Sequence, residues 1–137
     1  MSNNRPWDFD EARIACRKAS QRQEQGEEAL RKSYIDRAVS NERYRKALAE
    51  KILELRADGT AATVCSDLAR GHKDVADLKR LSDIAEGVKE AMSQAAWRLT
   101  ADRRDTQRCA GWSERREFAE AAGAGLVTFD EPVGGRR

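Results

Sequence analysis

Leu55-Arg56-Ala57-Asp58-Gly59-Thr60-Ala61-Ala62-Thr63-Val64-Cys65-Ser66-Asp67-Leu68-Ala69-Arg70-Gly71 decides the fold of this chain. It interrupts two long polar stretches of similar length, each with apolar residues at helical spacing. Gly59 stands where a left-handed residue ends a helix. Thr63 is placed to cap a short helix over residues 64–70, and Gly71 to end it. Asp74 then caps the next helix, with Asp77 in a box-like position three residues on. The chain is expected to fold back on itself, with its unusual residues at the bend.

Working outward, the preceding helix begins at Asp8 or Asp10, where a carboxylate can accept from an orphan backbone N–H. Its apolar positions run Ile14, Ala19, Gly26, Leu30, Tyr34, Ala38, Asn41, Tyr44, Leu48, Ile52 and Leu55, close to the helical period. Residues 21–28 are strongly polar and include Gly26, so a kink or break is expected there. The returning helix carries Leu78, Leu81, Ala85, Val88, Met92, Ala95 and Leu99 in alternating steps of three and four. That is a coiled-coil seam, with Ile84, Ala91 and Ala96 widening it. Beyond it the register turns polar, through Asp102, Thr106, Cys109, Ser113 and Arg116, and the helix ends near Ala122, before Gly123 and Gly125.

The expected fold class is all-α: an antiparallel coiled-coil helical hairpin with a short helix at its tip. Residues 1–9 form an N-terminal arm. Residues 10–122 form the hairpin, with arms 10–57 and 74–122 around a tip at 58–73. Residues 123–137 form a flexible tail. Pairing Ala57 with Asp74 makes facing residue numbers sum to about 131. Ile52 then faces Lys79 and touches Leu78 and Leu81. Tyr34 falls beside Trp97, Ala19 beside Trp112 and Ile14 beside Phe118, and Trp7, Phe9, Ile14, Trp112 and Phe118 gather at the open end. Each arm would be ~65–70 Å long at 1.5 Å per residue. Two such helices leave apolar edge exposed, so a homodimer or higher oligomer is expected.

Composition agrees. The 137 residues are 36% charged and 6% aromatic, enough to fill a seam but not a wide core. The two prolines, Pro6 and Pro132, lie near the ends, which leaves the middle free for long helices. A net charge of +2 from 26 basic and 24 acidic groups is a mixed surface rather than a nucleic-acid footprint. Three cysteines without a CxxC pair argue against a disulfide framework and for a reducing cytoplasm. No signal-peptide pattern opens the chain, and no apolar run is long enough to span a membrane.

Residues 44–83 resemble a group of small phage and prophage proteins of unknown mechanism. The resemblance rests on Leu55-Arg56 and Gly59, on Thr63, Asp67-Leu68 and Gly71, and on Val75-Ala76 and Leu78, with Asp83-Ile84-Ala85 after them. It implies a phage or prophage origin and a helical, self-associating protein. No functional residues are established for that group.

Four constellations bear on chemistry. Cys65-Ser66-Asp67 with His72, the sole histidine, offers a thiol and a base; packing and a solvated imidazole account for the same residues, and no phosphate loop or oxyanion motif accompanies them. Two such groups are too few for zinc, so no metal or other cofactor is expected. Arg98, Arg103, Arg104, Arg108, Arg115 and Arg116 interleave with Trp97 and Trp112, a pattern suited to phosphates and unpaired bases, although Asp102, Asp105 and Glu114 intervene. Residues 126–132 form an apolar-acidic peptide that could dock or add a strand to a partner. The reading is therefore a non-enzymatic, phage-type interaction protein in the host cytoplasm. Its protein partner meets the tip at Thr63, Asp67, Arg70, His72 and Lys73, in the manner of an inhibitor of a host or defence protein. The alternative is a nucleic-acid-binding accessory of phage recombination or replication.

Overall fold

A computed structural model describes residues 7–123. Its elements are α1 (Phe9–Ala57), α2 (Ala62–Gly71) and α3 (Lys73–Gly123). The tail peptide at 126–132 and the first six residues lie outside the described part.

α1 opens on a reciprocal capping box. The Glu11 amide donates to Asp8 Oδ1 at 2.8 Å and the Asp8 amide to Glu11 Oε2 at 3.1 Å. Its far end is a Schellman turn: Thr60 N–H donates to the Leu55 carbonyl at 3.0 Å, Gly59 N–H donates to that of Arg56 at 3.1 Å, and Gly59 has φ +85°. No break occurs at Gly26, because α1 runs through it. A Cβ placed there would stand 2.5 Å from Leu99 Cδ1. The glycine admits a neighbour rather than bending the helix.

The caps of α2 and α3 differ from expectation. α2 starts two residues earlier, behind Ala61, so Thr63 lies inside the first turn and no side chain caps the helix. Gly71 is not left-handed, since Gly59 is the one residue with positive φ among those described. His72, extended at ψ 135°, closes α2 by donating to the Ala69 carbonyl at 3.2 Å. Its own carbonyl accepts from Ala76 N at 2.8 Å and so opens α3. Asp74 is thereby moved from the cap into the first turn of α3, where it still suits the dipole.

The described residues form two compact units. One joins the described parts of Met1–Arg22 and Thr100–Arg137, and the other is Gln23–Leu99. In each, α1 packs against α3 in antiparallel sense. In the first unit, Phe9 N–H donates to Glu117 Oε1 at 2.8 Å, Arg116 Nη2 to the Trp7 carbonyl at 3.2 Å, and Arg22 pairs with Asp102 at 3.7 Å. In the second, Arg37 pairs with Glu86, Lys89 Nζ lies 5.6 Å from the Tyr34 ring centre and Lys79 Nζ 5.5 Å from that of Tyr44. Facing numbers in these pairs sum to 123–126, not 131. The sequence register is thus about one heptad out. It counted all of 58–73 as a bend beyond the arms. In the observed register α3 begins opposite residues near 50, which leaves the last turns of α1 to α2. Three of the four most enclosed side chains among the described residues lie on the return, Cys65 at 1%, Ala69 at 0% and Val75 at 2% exposed, and the fourth is Ala12 at 2%.

The buried face of α3 is also displaced. It carries Val75, Leu78, Ser82, Ala85, Lys89, Ala96, Ala110 and Ser113, while Leu81, Ile84 and Val88 are exposed. The cause lies in α1. Ala12, Ala19, Gly26, Ser33, Ser40 and Ala47 recur every seventh residue on its buried or half-buried face. Small side chains on one helix let another backbone come close, and α3 follows that repeat rather than its own largest apolar groups. Two of the buried hydroxyls bond within their own helices: Ser33 Oγ donates to the Leu30 carbonyl at 2.7 Å and Ser113 Oγ to that of Cys109 at 3.2 Å. Of the residues expected at the open end, Trp7 is half-buried and shares a groove with Ile14, while Phe9, Ile14, Trp112 and Phe118 are exposed.

Candidate functional site

α2 places Cys65 and Ala69 inward, and the opposite face must therefore meet solvent. Beside the inward pair, about 100° around the helix, stand Val64 and Leu68, one turn apart, 45% and 53% exposed. The sequence reading passed over both. The available signal was the four-residue spacing of this pair, one residue ahead of the equally spaced small pair Cys65–Ala69. Thr63, Asp67 and Arg70 are exposed on the face opposite Cys65 and Ala69, at steps of four and three. These three expected tip residues are brought together.

Lys73, exposed at the start of α3, and His72 complete the expected set. His72 is half-buried, with Nδ1 4.0 Å from the Asp74 carboxylate. Arg70 also borders an open groove of about 520 Å³ with Tyr44, Ala76 and Lys79. There Lys79 lies over the Tyr44 ring and reaches Asp83 Oδ1 at 2.5 Å. That hydrogen bond holds the ammonium above the ordinary lysine range, against a smaller opposing effect of desolvation. The groove is therefore cationic beside an aromatic face. Cys65 Sγ–H donates to the Thr60 carbonyl at 3.4 Å, which ties the thiol to the turn behind it. Cys16, Cys65 and Cys109 are all free thiols.

The basic residues divide. Arg98, in the Gln23–Leu99 unit, is exposed. In the other unit Arg104 is exposed, and Arg108, also exposed, pairs with Asp105 at 3.4 Å. Arg115 lies back over Gly111, its Nη1 3.5 Å from where a Cβ would be. Arg103 and Arg116 are half-buried rather than on an open face. Arg116 is engaged with the Trp7 carbonyl and with Glu120 at 3.4 Å. Trp97 is 73% exposed in its unit and Trp112 61% in the other. An open groove of about 810 Å³ beside Trp7, Ile14, Lys18, Arg22 and Asp102 completes the first unit's surface.

Among the described residues no group of three or more His, Cys, Asp or Glu side chains is placed to hold a metal ion. No described helix is long and apolar enough to cross a membrane. No family model, curated protein or solved structure matches the chain.

Proposed function

We propose that the chain is a non-enzymatic interaction protein of phage type, an antiparallel coiled-coil hairpin that self-associates and sets its tip against a partner protein. One observation carries the reading. Val64 and Leu68 are held in solvent on a short helix whose neighbouring face, about 100° around, is closed by Cys65 and Ala69. A rigid apolar pair rimmed by Thr63, Asp67 and Arg70 has the make-up of a small binding patch, with an apolar centre and a polar rim. The phage resemblance through the same segment supports an inhibitor of a host or defence protein. Three free thiols support a reducing compartment such as the host cytoplasm.

The test places a photo-crosslinking amino acid at residue 64 of the full chain and exposes it to nuclease-treated host lysate. One cross-linked protein is expected, lost on Leu68→Glu and on joint Arg70→Ala and Lys73→Ala. Cross-linking that survives all of these changes would move the site to the long helices.

A second reading, a nucleic-acid-binding accessory of recombination or replication, is favoured by the exposure of Trp97 and Trp112 beside free-standing arginines such as Arg98 and Arg104. Stacking and phosphate neutralisation predict single-strand binding that weakens steeply with salt. It would fall on Arg98→Ala with Arg104→Ala. Binding unmoved by salt would remove this reading.

A further inference from the structure

Leu81, Ile84, Val88 and Met92 on α3 are 51%, 55%, 44% and 37% exposed, and Ala95 is half-buried. Their steps of three and four make one stripe, turned about 110° around the helix from the face that meets α1. Within it no charge intervenes, since Asp83, Glu86, Lys89 and Glu90 all point at least about 100° away. Gly87 lies off the stripe, about 100° around the helix from Val88, with nothing within 4 Å of where a Cβ would stand.

Charge selects the occupant. Asp77 precedes the stripe by one turn and Arg98 follows it by one turn, both exposed. The stripe is thus acidic at one end and basic at the other, although Asp77 also has Arg80 at 3.3 Å within its own helix. A second copy laid antiparallel brings each Asp77 to the other's Arg98, while a parallel copy sets like on like. We propose that this stripe is a homodimer surface, with two α3 helices crossing antiparallel about a two-fold axis at Val88. Leu81 then meets Ala95, Ile84 meets Met92 and Val88 meets its own copy, as an isologous contact requires. Apolar patches of roughly 300–600 Å² commonly form the centre of interfaces near 800 Å² per partner. The inference rests on the self-association proposed above and names its surface.

The experiment is sedimentation velocity of the full chain over a wide concentration range, with circular dichroism alongside. The native chain is expected as a dimer. Val88→Glu, which sets two carboxylates at the axis, should raise the dissociation constant at least ~100-fold with helicity unchanged. Ile35→Glu, on exposed α1 surface, should not. Asp77→Arg and Arg98→Asp should each weaken the dimer ~10-fold, and together restore it. A native chain that stays monomeric at every concentration would overturn self-association itself. A dimer indifferent to Val88→Glu and to the charge reversals would leave self-association standing and overturn this surface. Should Val88→Glu unfold the chain, the reversal pair decides: restoration supports the surface and additive weakening contradicts it.

Discussion

Substitution of Gly26 probes the packing of α1 on α3 through one atom. A Cβ at this position would meet Leu99 Cδ1 at 2.5 Å and Leu99 Cγ at 3.9 Å, so the obstruction is the end of one flexible side chain. Gly26→Ala gains about 1 kcal/mol of helix propensity. Turning the Leu99 methyl aside costs about 0.5–1.5 kcal/mol. The two nearly cancel, and the variant should lie within about 1 kcal/mol of the native chain. Gly26→Leu drives further carbons into the same space and should lose about 1–3 kcal/mol by overpacking. The diagnostic quantity is the coupling with Leu99→Ala. Without the methyl, Gly26→Ala keeps the propensity gain and meets no obstacle, so the double-mutant cycle should show about 0.5–1.5 kcal/mol of favourable coupling. Urea titrations monitored by circular dichroism measure all four corners. Additivity within about 0.3 kcal/mol would refute the close approach. A rise in native helicity on Gly26→Ala would instead reveal a break that the glycine had permitted.

Other outcomes follow from the same structure. Asp8→Ala removes the acceptor for Glu11 N–H and should cost about 1 kcal/mol in urea, with Glu11→Ala costing less. Gly59→Ala forces a side chain into φ +85° and should cost about 1–2 kcal/mol. Glu86 is held below the ordinary carboxylate range by the Lys89 hydrogen bond, with Arg37 adding to it. A carboxylate depressed on folding stabilises above its unfolded pKa, and that stabilisation is lost as pH falls through the folded value. Thermal melts from pH 7 to pH 3 should therefore show a shallower acid decline for Glu86→Gln than for the native chain, and equal slopes would contradict the assignment.

The helices were legible because their signals are local. An aspartate cap at Asp8 or Asp10, the Gly59 turn and the three-and-four spacing each need only a few neighbouring residues, and the all-helical architecture with α1 packed on α3 follows from them. Register and face were not local. Leu81, Val88 and Met92 look like a seam by apolarity, but α1 between residues 12 and 47 meets α3 mostly with small groups, from Ala12 and Ala19 to Ser33 and Ala47. The pattern that decided the face was thus a repeat of small residues in the other helix, which a search for large apolar groups passes over. The same bias hid Val64 and Leu68. Attention to charged and unusual residues found Thr63, Asp67 and Arg70 and missed the apolar pair on the face beside them. Arg103 and Arg116 were misplaced because a basic run reads alike whether its members face solvent or the neighbouring helix.

The central claim is the pairing of α1 with α3 in a register that sets Tyr34 beside Lys89 rather than Trp97. Spin labels at residues 34 and 89 of a cysteine-free chain, diluted with unlabelled protein, measure it by pulsed dipolar spectroscopy. The account predicts a short, narrow distance for 34 with 89, and one about 6 Å longer for 34 with 97, which lies about 12 Å further along the axis of a helix about 9 Å away. The reverse order would contradict it.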